Sequence, residues 1–391
     1  MERSMSAGPL DGVRVVELGG IGPAPFACMM LADLGADVIR IDRPGAELHP
    51  VMHRNRRSIA LDLKSPEGRA IAMRLVAAGD VAIEGFRPGV AERLGLGPDD
   101  VSREAPHVVY GRMTGWGQDG PWAQLPGHDI NYIALTGALH AIGPADGDPV
   151  VPLNLIGDFG GGGMLLAYGV LAAVVSARTT GRGQVVDAAM IDGSAALMAM
   201  LHGYLAEGRW VDERGVNHLD GGAPYYRTYA CSDGRHVAVG CIEPQFYASL
   251  LKGLDLGDDP DFTAQDDRSR WPSMVHRLQA IFGSRPRDEW AEVFATSSAC
   301  VTPVLSIGEA PLHPHHVERQ TYTLLGDGHM ARPVPRFAGT PAAEPRPAPV
   351  VGSDGFALLG ELGLEAAEVR SHLEAGVVVL PPSATDEGGP R

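Results

Sequence analysis

Cysteine is scarce in this chain. There are four in 391 residues, Cys28, Cys231, Cys241 and Cys300, with no Cys-x-x-Cys pair. That excludes a disulfide framework and a thiolate zinc site, and it fits a reducing, cytoplasmic setting. Net positive charge is lacking too: the formal charge of −16 argues against nucleic acid or an anionic membrane as the main partner. No uninterrupted apolar run reaches the roughly twenty residues that span a bilayer. The longest, residues 164–177, contains Tyr168, Gly169 and Ser176 and reads as a buried helix, so no membrane span is expected. Residues 1–7 carry an arginine but no apolar core of a secretory signal. A Gly-x-Ser-x-Gly elbow and a Walker loop are also missing.

Two partial motifs fail on inspection. Gly20-Ile21-Gly22-Pro23, with Asp42 some way downstream, is half of a dinucleotide fingerprint, but Pro25 stands where the third glycine belongs. The loop is expected to let the following helix approach a sheet, and no nicotinamide cofactor is expected. In His313-Pro314-His315-His316 the proline prevents a helical i, i+4 ligand pair, and no cysteine or acidic cluster lies at zinc-like spacing, so no metal is expected.

What is present belongs to an ordinary soluble protein, 45% hydrophobic and 20% charged, long enough for two or three domains. Residues 13–18, 38–42, 59–63, 81–84 and 108–113 read as short buried strands. Helical patterns between them, such as Pro66–Ala77, predict βαβ crossovers on a parallel sheet. Residues 164–177 and 186–205 read as two helices, the second rich in Met and Ala. After a break near Glu207, residues 226–231 and 236–241 read as a hairpin around Ser232-Asp233-Gly234. Helices at 244–252, 271–282 and 287–297 and a closing strand at 301–305 follow. The expected organisation is an α/β large domain with a Rossmann-like parallel sheet (1–190), then a linker helix and loop (191–224). A smaller α+β domain (225–320) and an extended linker (321–350) come next. A C-terminal helix returning to the large domain (351–380, helical at 358–376) precedes a disordered tail (381–391).

Arg40, Arg43, Arg54, Arg56, Arg57 and Lys64 form a basic island in an acidic chain, and Lys64 and Lys252 are the only lysines. Such an island suits one localised anionic ligand, or else a solvated face paired with surface acids. Two further stretches carry chemistry. Gly127-His128-Asp129-Ile130-Asn131-Tyr132 offers an imidazole. Asn154-Leu155-Ile156-Gly157-Asp158-Phe159, running into Gly160 to Gly163, offers a carboxylate ahead of an apolar helix. An imidazole and a carboxyl on opposite sides of one carbon can take a proton from one face and return it to the other.

The opening Gly8-Pro9-Leu10-Asp11-Gly12-Val13 and the segment Leu31-Ala32-Asp33-Leu34-Gly35-Ala36-Asp37 resemble the class III CoA-transferase superfamily. Within it, the stretches around His128 and Asp158, together with Asp220-Gly221-Gly222-Ala223-Pro224-Tyr225-Tyr226 and Gly240-Cys241-Ile242-Glu243-Pro244, resemble the 2-methylacyl-CoA racemases. The likeness is close to about Leu305 and thin beyond it. It implies an intertwined homodimer with acyl-CoA as the substrate and no cofactor. His128 and Asp158 would be opposing acid/bases, with Glu243 of the other subunit as the acidic partner of His128. Asn154 and Tyr226 would support Asp158. The resemblance also implies CoA contacts from Arg40, Leu61, Asp62, Leu63, Lys64, Gly85, Phe86, Arg87 and Arg93, and from Gly127, His128, Asp129, Ile130, Asn131 and Tyr132. Arg54 and Arg57 would add contacts to phosphate, which guanidinium groups bind bidentately.

Inversion needs one proton on the pair in either direction, so His128 and Asp158 are expected to titrate as a coupled unit. Burial would raise the proton affinity of Asp158 and a helix N-terminus would lower it. The Asp129 N–H is the expected donor to the enolate oxygen. Glycines 160–163 would either let an acyl chain approach or serve helix packing. In the transferase branch of the superfamily, by contrast, an aspartate at the Asp158 position is a covalent nucleophile.

Overall fold

The structure is a computed structural model and describes residues 8–381. The readings of residues 1–7 and of the tail beyond Pro381 lie outside the described residues. The chain divides into two compact units. One comprises the N-terminal part to Thr136, Leu153–Leu197 and the part from Glu318; the other comprises Gly137–Pro152 and Met198–Val317.

In the first unit, buried runs of Val, Ile and Ala form β1 (Arg14–Glu17), β2 (Asp37–Asp42), β3 (Arg57–Leu61), β4 (Val81–Glu84) and β5 (Val109–Thr114). These join β6 (Val185–Ala189) in a parallel array, and a short C-terminal strand, Val378–Val379, closes the β3 edge antiparallel. The strand order, from that closing strand, is C-terminal strand-β3-β2-β1-β4-β5-β6. Helices cover both faces, as a sheet apolar on both sides requires. Pro66–Ala77 illustrates how such a helix is specified. Ser65 Oγ accepts the Gly68 N–H at 2.9 Å, Pro66 stands in the first turn, and Ile71, Ala72, Leu75 and Val76 fall on one buried face.

Residues 186–205, expected as one helix, begin instead as β6, which runs beside β5 from Tyr110↔Val185 to Thr114↔Ala189. Helices Met190–Leu197 and Ala199–Ala206 follow, separated at Met198. The apolar run Ala188-Ala189-Met190-Ile191 passes from strand to helix with no Gly or Pro between, so periodicity gives no boundary there.

The helix expected at 164–177 starts earlier, because a π-helix, Leu155–Met164, runs directly into an α-helix, Leu165–Thr180. The continuous 26-residue helix has mean hydropathy 1.7 and is long and apolar enough, by length and composition, to cross a membrane. Here 44% of its most apolar window is buried. Leu166 and Val170 lie against β5 so closely that a Cβ on Gly111 would come within 3.0 Å of Val170.

The expected C-terminal helix is two, Gly355–Glu361 and Ala366–Glu374, broken at Gly363 with φ 75°. Glu361 ties the first of them to Arg14 and Arg57. The stretch expected as an extended linker opens with a hairpin, Tyr322–Leu325 and Gly328–Ala331, before the chain becomes irregular.

In the second unit, β7 (Tyr226–Ala230), β8 (His236–Gly240) and β9 (Val301–Pro303) form an antiparallel sheet. Gly234, at φ 75°, makes the hairpin turn. Helices Pro244–Gly253, Trp271–Phe282 and Arg287–Phe294 complete its core. Tyr229 stacks on Phe282 at 5.0 Å, and Phe282 meets Trp290 edge-on at 5.1 Å.

Candidate active site

In an open parallel sheet, ligands bind beyond the carboxyl ends of the strands. Two cavities of the first unit lie there. The larger, of about 1100 Å3, is lined by the loop after β1 (Leu18 to Gly22), by Arg40 to Asp42 at the end of β2 and Arg43 and Pro44 beyond it, by Leu61 at the end of β3 and Asp62 to Lys64 beyond it, and by Phe86 after β4. The smaller, of about 290 Å3, is lined by Gly85 to Pro88, by Met113 to Trp116 after β5, and by Gly127, His128, Tyr132 and Asp158. Ile21, Gly22 and Phe86 belong to both linings, so the two cavities adjoin.

The structure thus brings Arg40, Leu61, Asp62, Leu63, Lys64 and Phe86 to one cavity, and Gly85, Arg87, Gly127, His128 and Tyr132 to the other. Arg40 is buried and already engaged. It bonds Glu17, donates to Asp42 Oδ1 at 2.7 Å and to the Gly20 carbonyl at 3.0 Å, and so holds the β1 loop in place. Arg54 lies in neither lining. It is buried in a two-pronged ion pair with Asp33, at 2.9 and 2.5 Å. Arg57 pairs with Asp37 and Glu361. Arg93 is exposed on the short helix Val90–Arg93, whose Val90 lines the larger cavity. Ile130 and Asn131 are exposed in the helix after His128. His53, in the wall of the larger cavity, is held neutral by burial and by Arg40 and Arg56, its pKa pulled down to about 3.

His128 is the N-cap of the helix Asp129–Leu135, and its backbone N–H donates to Asn131 Oδ1 at 3.0 Å. Asp129 is the first residue of that helix, so its N–H has no intrahelical acceptor. Asp158 lies in the first turn of the π-helix, a form concentrated at functional sites. Leu153, entering that helix, has φ 59°, a strained value for a non-glycine residue. Asn154 Nδ2 donates to Asp158 Oδ2 at 3.1 Å.

Burial raises the pKa of Asp158. The Asn154 hydrogen bond opposes it, the Asp129 charge adds to it, and His128 opposes it. Of the two tendencies that the sequence set against each other, burial prevails. Burial, with Asp158 nearby, pushes Tyr132 up to about 12, so its hydroxyl stays protonated.

Glycines 161–163 serve packing. A Cβ on Gly161 would lie 2.6 Å from Ser194 N, one on Gly162 2.8 Å from Met190, and one on Gly163 2.7 Å from Phe26. Gly193 presses back so hard that its Cβ would sit 1.8 Å from the Gly161 carbonyl oxygen. These glycines let the π-helix cross Met190–Leu197 at backbone contact and approach Phe26 near Asp158, and they line neither of the two cavities.

Glu243 and Tyr226 belong to the second unit. Glu243 is exposed and is the N-cap of Pro244–Gly253. Tyr226 lines a cavity of about 810 Å3 with Arg227, Thr228 and Cys300. Among the described residues, no group of three or more His, Cys, Asp or Glu side chains is placed to hold a metal ion.

Sequence reading missed Trp116, which meets Tyr132 edge-on at 4.7 Å, together with Thr114 and the loop Ile21-Gly22-Pro23 dismissed above. Their signal was positional: each follows the carboxyl end of a parallel strand.

Known proteins place this arrangement. The CoA-transferase family III pattern matches residues 10–355. The chain is 43% identical over 365 residues to the alpha-methylacyl-CoA racemase of Homo sapiens, covering 92% of this chain and 95% of that one. It is 30% identical to the succinyl-CoA:glutarate CoA-transferase of Homo sapiens, covering 95% of this chain and 90% of that one. A crystal structure of a CAIB/BAIF family protein from Brucella suis superposes with TM-score 0.78 at 25% identity, covering 91% of this chain and all of that one. A parallel sheet with its cavities at the strand ends, and a sequence match over most of the chain, make this protein a member of CoA-transferase family III.

Proposed function

We propose that this chain racemises 2-methylacyl-CoA thioesters by moving the α-proton between His128 and Asp158. The observation that carries the reading is the meeting of an imidazole and a protonatable carboxyl in one small cavity, adjoining a larger one with room for a nucleotide. The 43% identity to a racemase supports it. CoA would lie along the strand ends, its nucleotide in the larger cavity and its thioester in the smaller.

A thioester makes the α-proton acidic enough to remove once the enolate oxygen has a donor, and the free Asp129 N–H is suited to that. Neutral His128 takes the proton from one face, leaving an enolate and an imidazolium. Protonated Asp158 returns a proton to the other face, giving the inverted thioester and a carboxylate. The reverse direction starts from that imidazolium and carboxylate. The raised proton affinity of Asp158 suits this cycle, because it brings the two groups closer in basicity. By the same reading the enzyme is a homodimer, Glu243 of a second copy steadies the His128 imidazolium, and Tyr226 supports Asp158. No cofactor enters the cycle.

The test is incubation of one enantiomer of a 2-methylacyl-CoA in heavy water, followed by NMR and chiral analysis. Deuterium at the α-carbon with loss of optical purity, no acceptor acid being present, is the expected result. CoA transfer to an added free acid, without exchange, would overturn it and make Asp158 a nucleophile.

A further inference from the structure

The mechanism above uses only the backbone of Asp129, yet its side chain is 5% exposed. A buried carboxylate is costly without strong partners. Its Oδ2 accepts the Asp158 N–H at 2.7 Å, while Oδ1 is buried with no hydrogen-bond partner. Near the start of a π-helix an N–H has no acceptor within the helix, and Asn154, the N-cap residue, supplies no side-chain cap. Asp129 provides one from 29 residues away. The two backbones meet as well: a Cβ on Gly157 would lie 2.7 Å from Asp129 Oδ2 and 3.2 Å from its Cα. On its other side Asp129 is bonded to His128, whose own N–H is held by Asn131. One peptide bond and one hydrogen bond therefore connect the imidazole residue to the carboxyl residue.

Resting on the proton-transfer reading, we infer that the Asp129 side chain is a positioning residue that fixes the separation of His128 and Asp158 and places a second carboxylate beside Asp158. Its charge adds to burial in favouring the protonated form of Asp158. The other ionisable groups that act on Asp158 are His128 and Tyr132. The helix Met190–Leu197 presses on the π-helix with Gly193 and Ser194, and the helix Pro23–Asp33 with Pro23 and Phe26, none of these four ionisable, while Arg87 lines the same cavity as Asp158.

Two substitutions separate position from charge. Asp129→Asn keeps an acceptor oxygen for the Asp158 N–H and loses the charge; Asp129→Ala loses both. For Ala the α-proton exchange rate should fall on the order of 100-fold, the usual scale for displaced acid/base groups. Deuterium uptake at the Gly157–Asp158 amides should rise by about tenfold, as for a lost hydrogen bond. Asn should restore most of the rate and the amide protection, while the acid limb of its pH profile moves to lower pH. An Ala variant with wild-type rate and amide protection would overturn the inference. So would an Asn variant whose acid limb is unmoved, and that measurement stands even if the Ala variant does not fold. Should the wild type exchange no α-proton, the racemase reading fails on its own; amide deuteration, which needs no turnover, then decides the positional role of Asp129.

Discussion

His128 and Asp158 make separable predictions. His128→Ala and Asp158→Ala should each lower α-proton exchange by about 10²- to 10⁴-fold, the usual worth of a general acid or base. CoA binding, followed by calorimetry, should persist because the larger cavity is untouched. Full activity in either variant would remove that residue from the mechanism. Asp158 also makes a stability prediction. Its folded pKa lies above the unfolded value, so its contribution is most favourable when protonated, below the unfolded pKa. That contribution is lost as pH rises through the folded pKa. Asp158→Asn should therefore melt higher than wild type near pH 7.5, and the gain should vanish toward pH 4. Melting curves at the two pH values check the sign, and an unchanged or lower melting point at pH 7.5 would contradict it. Both residues were proposed from the resemblance of their local motifs to the racemases, and the structure adds that they line one cavity. Arg40 and Arg54 are both buried in ion pairs, Arg40 with Glu17 and Asp42 and Arg54 with Asp33, yet only Arg40 also lines the larger cavity. No composition count separates a buried ion pair from a ligand contact.

Among the elements, the crossing of the π-helix with Met190–Leu197 is the most constrained. Gly193→Ala would place a methyl 1.8 Å from the Gly161 carbonyl oxygen. Overpacking of this kind costs about 1–3 kcal/mol, and it should shift the Asp158 turn, lowering exchange along with the urea midpoint. Gly203→Ala is the control, because nothing lies within 4 Å of a Cβ there; it should be neutral or stabilising by up to about 1 kcal/mol. Equal midpoints for the two variants would refute the packing role. Pro66–Ala77 was readable to the residue because its cap and period agree, and Val81–Glu84 because Gly79-Asp80 and Gly85 bound its run. β6 was not, because its identity as a strand comes from hydrogen bonds to β5, whose register partners, from Tyr110↔Val185 to Thr114↔Ala189, lie 75 residues earlier.

The exposed face of the long helix bears on the whole molecule. Met164, Tyr168 and Val175 share a face at helical spacing and are 52%, 73% and 68% exposed. An exposed apolar stripe of this kind is expected to be covered, and the proposed homodimer would cover it. Sedimentation equilibrium at micromolar concentration should give twice the chain mass, with Tyr168→Asp and Val175→Asp shifting it toward the monomer. A monomer at that concentration would count against both the dimer and the role proposed for Glu243.

The sequence alone determined the α/β character, the parallel first half and the hairpin of the second unit, and its resemblance to the racemases supplied the two residues proposed to move the proton. All of these depend on neighbours within a few turns of chain. The tertiary structure decided which basic residues are spent inside, that β6 is a strand, that Gly161 to Gly163 pack against a helix, and that burial raises the proton affinity of Asp158. Each of these is set by groups distant in sequence, whose approach costs chain entropy and is stable only once the whole sheet and its helices exclude water together.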